Sequence, residues 1–94
     1  MDLKVKYTQV SDEAEAYKLG KNLITSESIA KWNVTADVQY QDEAHNILAK
    51  GKGFTLTLKF KQDYAQVDCE LSLMLKPFRK SIMSAVEDKL KQHL

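Results

Sequence analysis

One cysteine, one proline, three glycines and two histidines are all that these 94 residues contain of four informative types, and each scarcity removes a class of protein. Cys69 has no second cysteine to pair with, so no internal disulfide forms and an oxidising compartment is not implied. His45 and His93 each lack a second ligand at metal spacing, so no metal or cofactor is implied, and solvent exposure is expected of both. Gly51-Lys52-Gly53 is too short to cradle a phosphate and reads as a hairpin turn. G-x-S-x-G, P-loop and H-E-x-x-H patterns are missing, and with them the commonest marks of an enzyme. No apolar run approaches the ~18–20 residues that span a bilayer. The chain opens on alternating charged residues rather than a basic segment followed by an apolar one, which makes cytoplasm the default location.

An excess of charge is missing too. The net charge of +1 excludes a globally basic nucleic-acid binder. Its distribution is uneven: residues 50–61 hold four lysines and no acid, whereas residues 62–75 carry only Asp63, Asp68 and Glu70. Residues 76–94 hold five basic groups against Glu87 and Asp88. Blocks of this kind read as partners across a sheet. What is present in ordinary amount is apolar residue, 44%, with 29% charged, the proportions of a globular chain. The length predicts a single domain over residues 1–94. A core of this size has little margin, so a homodimer that buries more surface is compatible with the sequence, though nothing requires one.

Asp2 to Thr8 alternates, with Leu3, Val5 and Tyr7 on one side, which is the period of a half-buried strand. Ser11 offers an N-cap oxygen, and Asp12, Glu13 and Glu15 suit the positive end of a helix. Ala16, Leu19, Leu23, Ile24 and Ala30 follow at helical spacing. Thr25-Ser26-Glu27-Ser28 has poor helix propensity and predicts a bend or stop near 26, with resumption toward Ile29, Ala30 and Trp32. From Val34 the period returns to two, through Ala36, Val38 and Tyr40. A polar turn at 42–45 leads to a short strand at 46–50. Phe54, Leu56, Leu58 and Phe60 alternate on the next strand, and Val67, Cys69, Leu71, Leu73 and Leu75 on the last.

Placing Lys61 opposite Gln66 pairs Phe60 with Val67, Leu58 with Cys69, Leu56 with Leu71, Phe54 with Leu73, and Lys59 with Asp68. Asp37 pairs with Lys50 across the preceding hairpin. Pro77 has no amide hydrogen and a fixed φ, so it ends the ladder and starts a helix. Phe78, Ile82, Val86, Leu90 and Leu94 recur every fourth residue along that helix. On this stripe Phe78→Ala is expected to lose about 3–5 kcal/mol. The architecture predicted is α+β, β-α-β-β-β-β-α, a mostly antiparallel sheet with both helices on one face.

None of these residues forms a convincing catalytic set. Cys69 falls on the buried face of a strand, where it acts as a small apolar residue. Asp37 and Asp68 sit on the open face beside lysines, not converging in a cleft. Trp32 and Tyr40 read as core aromatics rather than the walls of a ligand pocket.

The stretch Leu71-Ser72-Leu73-Met74-Leu75-Lys76-Pro77-Phe78-Arg79, with the helix from Lys80 to Leu94, resembles the C-terminal part of the polyhydroxyalkanoic acid system family. These are small bacterial proteins named from genes found near those for polyhydroxyalkanoate storage granules. The family looks like a long amphipathic helix, a run of strands ending in this signature, and a final helix. Gly51-Lys52-Gly53 is similar to the family's glycine turn, with one residue fewer between the glycines. The polar interruption at 25–28 departs from the family's pattern.

The resemblance implies a non-enzymatic accessory or interaction protein whose partner is an unidentified protein or a storage granule, with no catalytic residues to carry over. A second reading takes the element order, which with one extra strand is similar to ribosome hibernation factors. It would use Lys76, Arg79, Lys80, Lys89 and Lys91 as phosphate contacts on ribosomal RNA. The near-neutral charge and single arginine speak against nucleic acid. A third reading is a small-ligand cavity near Trp32, Tyr40 and Phe78.

Overall fold

The computed structural model describes residues 3–32 and 34–94. Along the chain run β1 (Leu3–Lys6), α1 (Glu13–Leu23), α2 (Ser26–Ala30), β2 (Asp37–Gln41), β3 (Asn46–Gly51), β4 (Phe54–Phe60), β5 (Tyr64–Leu71), a 3-10 turn (Lys76–Phe78) and α3 (Arg79–His93). Asp2, expected on the outer side of the first strand, lies outside the described residues. The five strands form one sheet in the order β1-β5-β4-β3-β2, and every neighbouring pair is antiparallel. The expected α+β order is therefore present, with the first helix in two pieces.

The break between those pieces has a local cause. Serine and threonine near a helix end bond the backbone themselves. Thr25 Oγ1 accepts from the Ser28 amide at 3.1 Å and so starts α2 instead of prolonging α1. At the front of α1 the cap is Asp12 rather than the expected Ser11. Asp12 Oδ1 accepts from the Glu15 amide at 2.8 Å, while the Ser11 hydroxyl donates to the Glu15 carboxylate. Ile29, not Ala30, is the buried residue of α2.

One face of the sheet carries the core. β4 alternates strictly, with Phe54, Leu56, Leu58 and Phe60 buried; Ile47 and Ala49 of β3, Ala65, Val67 and Cys69 of β5 and Val5 of β1 join them. Over this face lie Ala16, Tyr17 and Ile24 from and beside α1, Ile29 of α2, and Ile82, Val86, Leu90 and Leu94 from and beside α3. The expected buried role of Cys69 agrees with its 3% exposure.

The β4–β5 register differs from expectation by two residues. Phe60 pairs with Ala65, Leu58 with Val67, Leu56 with Cys69 and Phe54 with Leu71; Lys59 faces Gln66, and Asp68 faces Thr57. The reason is the turn. Lys61 N–H donates to Tyr64 O at 2.8 Å, so only Gln62 and Asp63 connect the strands. A shift of two keeps every side chain on its face, which is why the inside-outside pattern is right although the pairs are not. The Asp37–Lys50 pairing is as expected.

β5 also stops at Leu71, four residues early. Ser72 still donates its N–H to Gly53 O, but its own carbonyl then accepts from Leu75 and Lys76, closing a turn that takes Leu73 off the sheet. Gly53 sits beneath with φ +73°, and a Cβ there would lie 2.6 Å from Ser72 Oγ. Phe78 precedes α3 in the tighter 3-10 winding and is 48% exposed, so it is not part of the buried stripe.

Candidate functional site

The early end of β5 leaves a lip, residues 72–78, at one end of the sheet. Leu73 and Met74 are 80% and 86% exposed, and Phe78 is half exposed. Leu73, Met74 and Leu75 form an open apolar hollow with Lys52, Gly53 and Ser72. Leu75 also lines the adjoining groove, with Val34, Thr35, Ala36, Gly51 and Lys52. Lys52 beside these apolar groups and Lys76 within the lip are exposed, and Glu70 lies in the neighbouring groove with Lys76 and Arg79. The result is a small amphiphilic knuckle, apolar at its tip and mostly basic at its base. Alternation had assigned Leu73 and Leu75 to the buried face. The signal against it was Met74, which makes 73–75 three apolar residues in a row and breaks the period of two.

A second cluster ties α1 to the β2–β3 turn. Tyr17 Oη donates to Asp42 Oδ1 at 2.7 Å, and Lys21 Nζ donates to the same oxygen at 2.9 Å. His45 Nδ1 and Glu13 Oε2 stand 2.5 Å apart, with the imidazole 5.1 Å from the Tyr17 ring. His45 is thus half-buried and partnered, contrary to the expected free exposure, and it adopts φ +54°. His93 is exposed as expected. Burial, then the bond to Asp42, pushes the Tyr17 hydroxyl up to about 12. The Tyr17 hydroxyl and then the Lys21 ammonium hold the Asp42 carboxyl below its ordinary value. Burial also raises Tyr7, whose hydroxyl donates to Lys61 O. The Tyr17–Asp42 and Glu13–His45 pairs bridge 25 and 32 residues, so no local motif could have announced them.

The five basic residues considered for phosphate binding are not brought onto one surface. Arg79 Nη1 donates to Cys69 O of β5 at 3.0 Å. Lys89 Nζ donates to Ser28 Oγ, and Lys91 pairs with Glu87 at 3.2 Å. At about 100° per residue, Lys80 and Lys91 share one side of α3, while Lys89 lies on the other. Lys76 lies in the lip itself and shares a groove with Arg79, whereas Lys80 lines a different groove with Leu3, Met83 and Glu87.

Trp32, Tyr40 and Phe78 each have a separate setting among the described residues. Trp32 packs against the core, Tyr40 sits on β2 with its hydroxyl donating to Ile24 O, and Phe78 belongs to the lip. Among the described residues, no group of three or more His, Cys, Asp or Glu side chains could hold a metal ion, and no helix is long and apolar enough to cross a membrane.

No curated protein and no solved structure matches the chain. The family described as polyhydroxyalkanoic acid system protein, a description that states no activity, matches residues 8–94, which include the lip and both helical regions. A five-stranded sheet lidded by helices, closed at one end by Leu-Ser-Leu-Met-Leu-Lys-Pro-Phe-Arg, is thus the form this sequence takes as a member of the polyhydroxyalkanoic acid system protein family.

Proposed function

We propose that this protein is a non-enzymatic, cytoplasmic accessory protein of bacterial storage-granule metabolism, and that it attaches to the surface of the polyester granule through the lip. The observation that carries the reading is the exposure of Leu73 and Met74 together, far beyond that of Phe78 and Tyr40, the other exposed large apolar residues among those described. Membership of the polyhydroxyalkanoic acid system family supports the choice of polyester as that surface. Lysines at the base of an apolar tip suit an interface that is apolar within and carries acidic groups outside.

The size of the lip sets the strength of attachment. Burying a leucine or methionine side chain is worth about 1.5–3 kcal/mol, so the pair supplies about 3–6 kcal/mol before ordering losses. That corresponds to a dissociation constant near or above the millimolar range at its lower limit and tens of micromolar at its upper. Such attachment is reversible. A coat protein would need a long amphipathic segment free to lie on the polymer, whereas α1, α2 and α3 commit their apolar residues to the sheet.

Pelleting the protein with purified polyhydroxybutyrate granules tests this. Wild type is expected in the granule fraction, and a Leu73→Ser/Met74→Ser double variant with unchanged circular dichroism is expected to lose attachment at least fivefold. Wild type that stays in the supernatant, or a double variant that pellets equally well, overturns the reading.

A further inference from the structure

The two edges of the sheet are finished in opposite ways. Gly51 and Phe54 flank a two-residue turn, and Phe60 N–H donates to His45 O at 3.0 Å, so the odd residues of β3 bond toward β4. The even residues Asn46, Leu48 and Lys50 therefore bond toward β2, onto Gln41, Gln39 and Asp37. Val38 and Tyr40 are left with their amides and carbonyls directed away from the sheet. On β1 the same alternation turns Lys4 and Lys6 outward, and beyond them the amides of Thr8, Gln9 and Val10 donate to Leu94 O. Lysine on an exposed edge discourages pairing with another chain, because a second copy would set lysine against lysine. β2 has no lysine, no proline and no bulge. Its outward residues are valine and tyrosine, and Tyr40 is 37% exposed.

We propose that β2 is the pairing edge of a homodimer, joined antiparallel to β2 of a second copy about a two-fold axis through Gln39. In this register Val38 exchanges both backbone hydrogen bonds with the partner's Tyr40, and Tyr40 does so with the partner's Val38. All four outward positions of the two strands are satisfied at once. Gln39 meets the partner's Gln39, and Asp37 meets the partner's Gln41, so no like charges oppose each other. On the helix-covered face the register sets a β-branched side chain against an aromatic one, a favourable cross-strand pair. The joined sheet has ten strands. The axis is normal to it, so the two lips lie at opposite ends and the pairing does not use them.

The test is sedimentation equilibrium of the full chain to about 1 mM. Wild type is expected to reach twice the monomer mass with rising concentration. Gln39→Lys, at an exposed position whose side chain the fold does not use, puts two ammonium groups face to face and is expected to weaken the dimer at least tenfold; Gln39→Glu does the same with carboxylates. Mixing the two variants is expected to restore association as a heterodimer. Equal urea midpoints for all three proteins show that the monomer is intact. Wild type that remains monomeric throughout, variants that associate as wild type does, or a mixture that fails to recover each overturn the proposal. Because none of these proteins alters residues 72–78, failure here leaves the granule reading standing, and failure at the granule leaves the dimer standing.

Discussion

Leu94 lies one residue beyond α3, yet its side chain is fully buried beside the stripe of Ile82, Val86 and Leu90. Its carbonyl accepts from the amides of Thr8 and Gln9 at 2.6 Å and of Val10 at 3.3 Å. Leu94→Ala removes the side chain and keeps that carbonyl, so the change isolates packing from hydrogen bonding. Leucine-to-alanine changes in cores lose about 2–5 kcal/mol, and a site at the end of a helix can partly collapse, which places this one at about 2–3. At about 0.05–0.15 kcal/mol per residue the whole fold is worth about 5–14 kcal/mol, so the loss is a large share. With a urea slope near 1 kcal/mol per molar, the midpoint should fall by about 2–3 M. Urea titrations followed by far-ultraviolet circular dichroism measure it. Phe78→Ala is the control: helical spacing places it on the same stripe, whereas its half exposure predicts a loss below about 1 kcal/mol. A Leu94→Ala loss under about 0.5 kcal/mol, or a Phe78→Ala loss larger than that of Leu94→Ala, would refute the orientation of α3.

Two further outcomes follow from other sites. At Gly51 an added Cβ would lie 1.9 Å from the Thr35 carbonyl oxygen and 3.2 Å from Ala36 Cα. Backbone cannot swing aside as a side chain can, so Gly51→Ala is expected to destabilise by about 2 kcal/mol or more, read as a lowered melting temperature. The Tyr17–Asp42 pair shapes both limbs of the pH profile. Tyr17 has a raised folded value, so its contribution is complete below about pH 10 and is lost as pH climbs through about 12. Asp42 has a lowered folded value, so its contribution is present above the ordinary carboxylate value and is lost as pH falls through the lowered one. Urea midpoints across pH should show a flatter alkaline limb in Tyr17→Phe and a flatter acid limb in Asp42→Asn.

Much of the fold was legible because period and punctuation are local. The strand alternations, the stop at Thr25 and the change to helical winding at Pro77 each depend on a few neighbouring residues and each is present, although β2 begins at Asp37 rather than Val34, β5 ends at Leu71 and α3 begins only at Arg79. The β4–β5 register was not legible, since faces repeat every two residues and patterning cannot distinguish a connection of two residues from one of four. The end of β5 was hidden by Leu73 and Leu75, which keep the period of a strand while the Ser72 carbonyl has already turned the chain. The lip therefore lay inside the most recognisable stretch of the sequence and was read as core. The Tyr17–Asp42–Lys21 and Glu13–His45 contacts, and the lysine-free edge at β2, depend on long-range placement that only the folded chain reveals.

The tie between residues 8–10 and Leu94 bears on how the chain is made. β1 is synthesised first, but its neighbours β5 and α3 come last. Contacts that span nearly the whole length close the largest possible loop, which slows folding and defers it. A growing chain can assemble α1, α2 and the β2-to-β5 meander early, with the apolar side of that meander only partly covered until α3 docks. Chaperone demand should therefore be greatest between pairing of β5 and docking of α3.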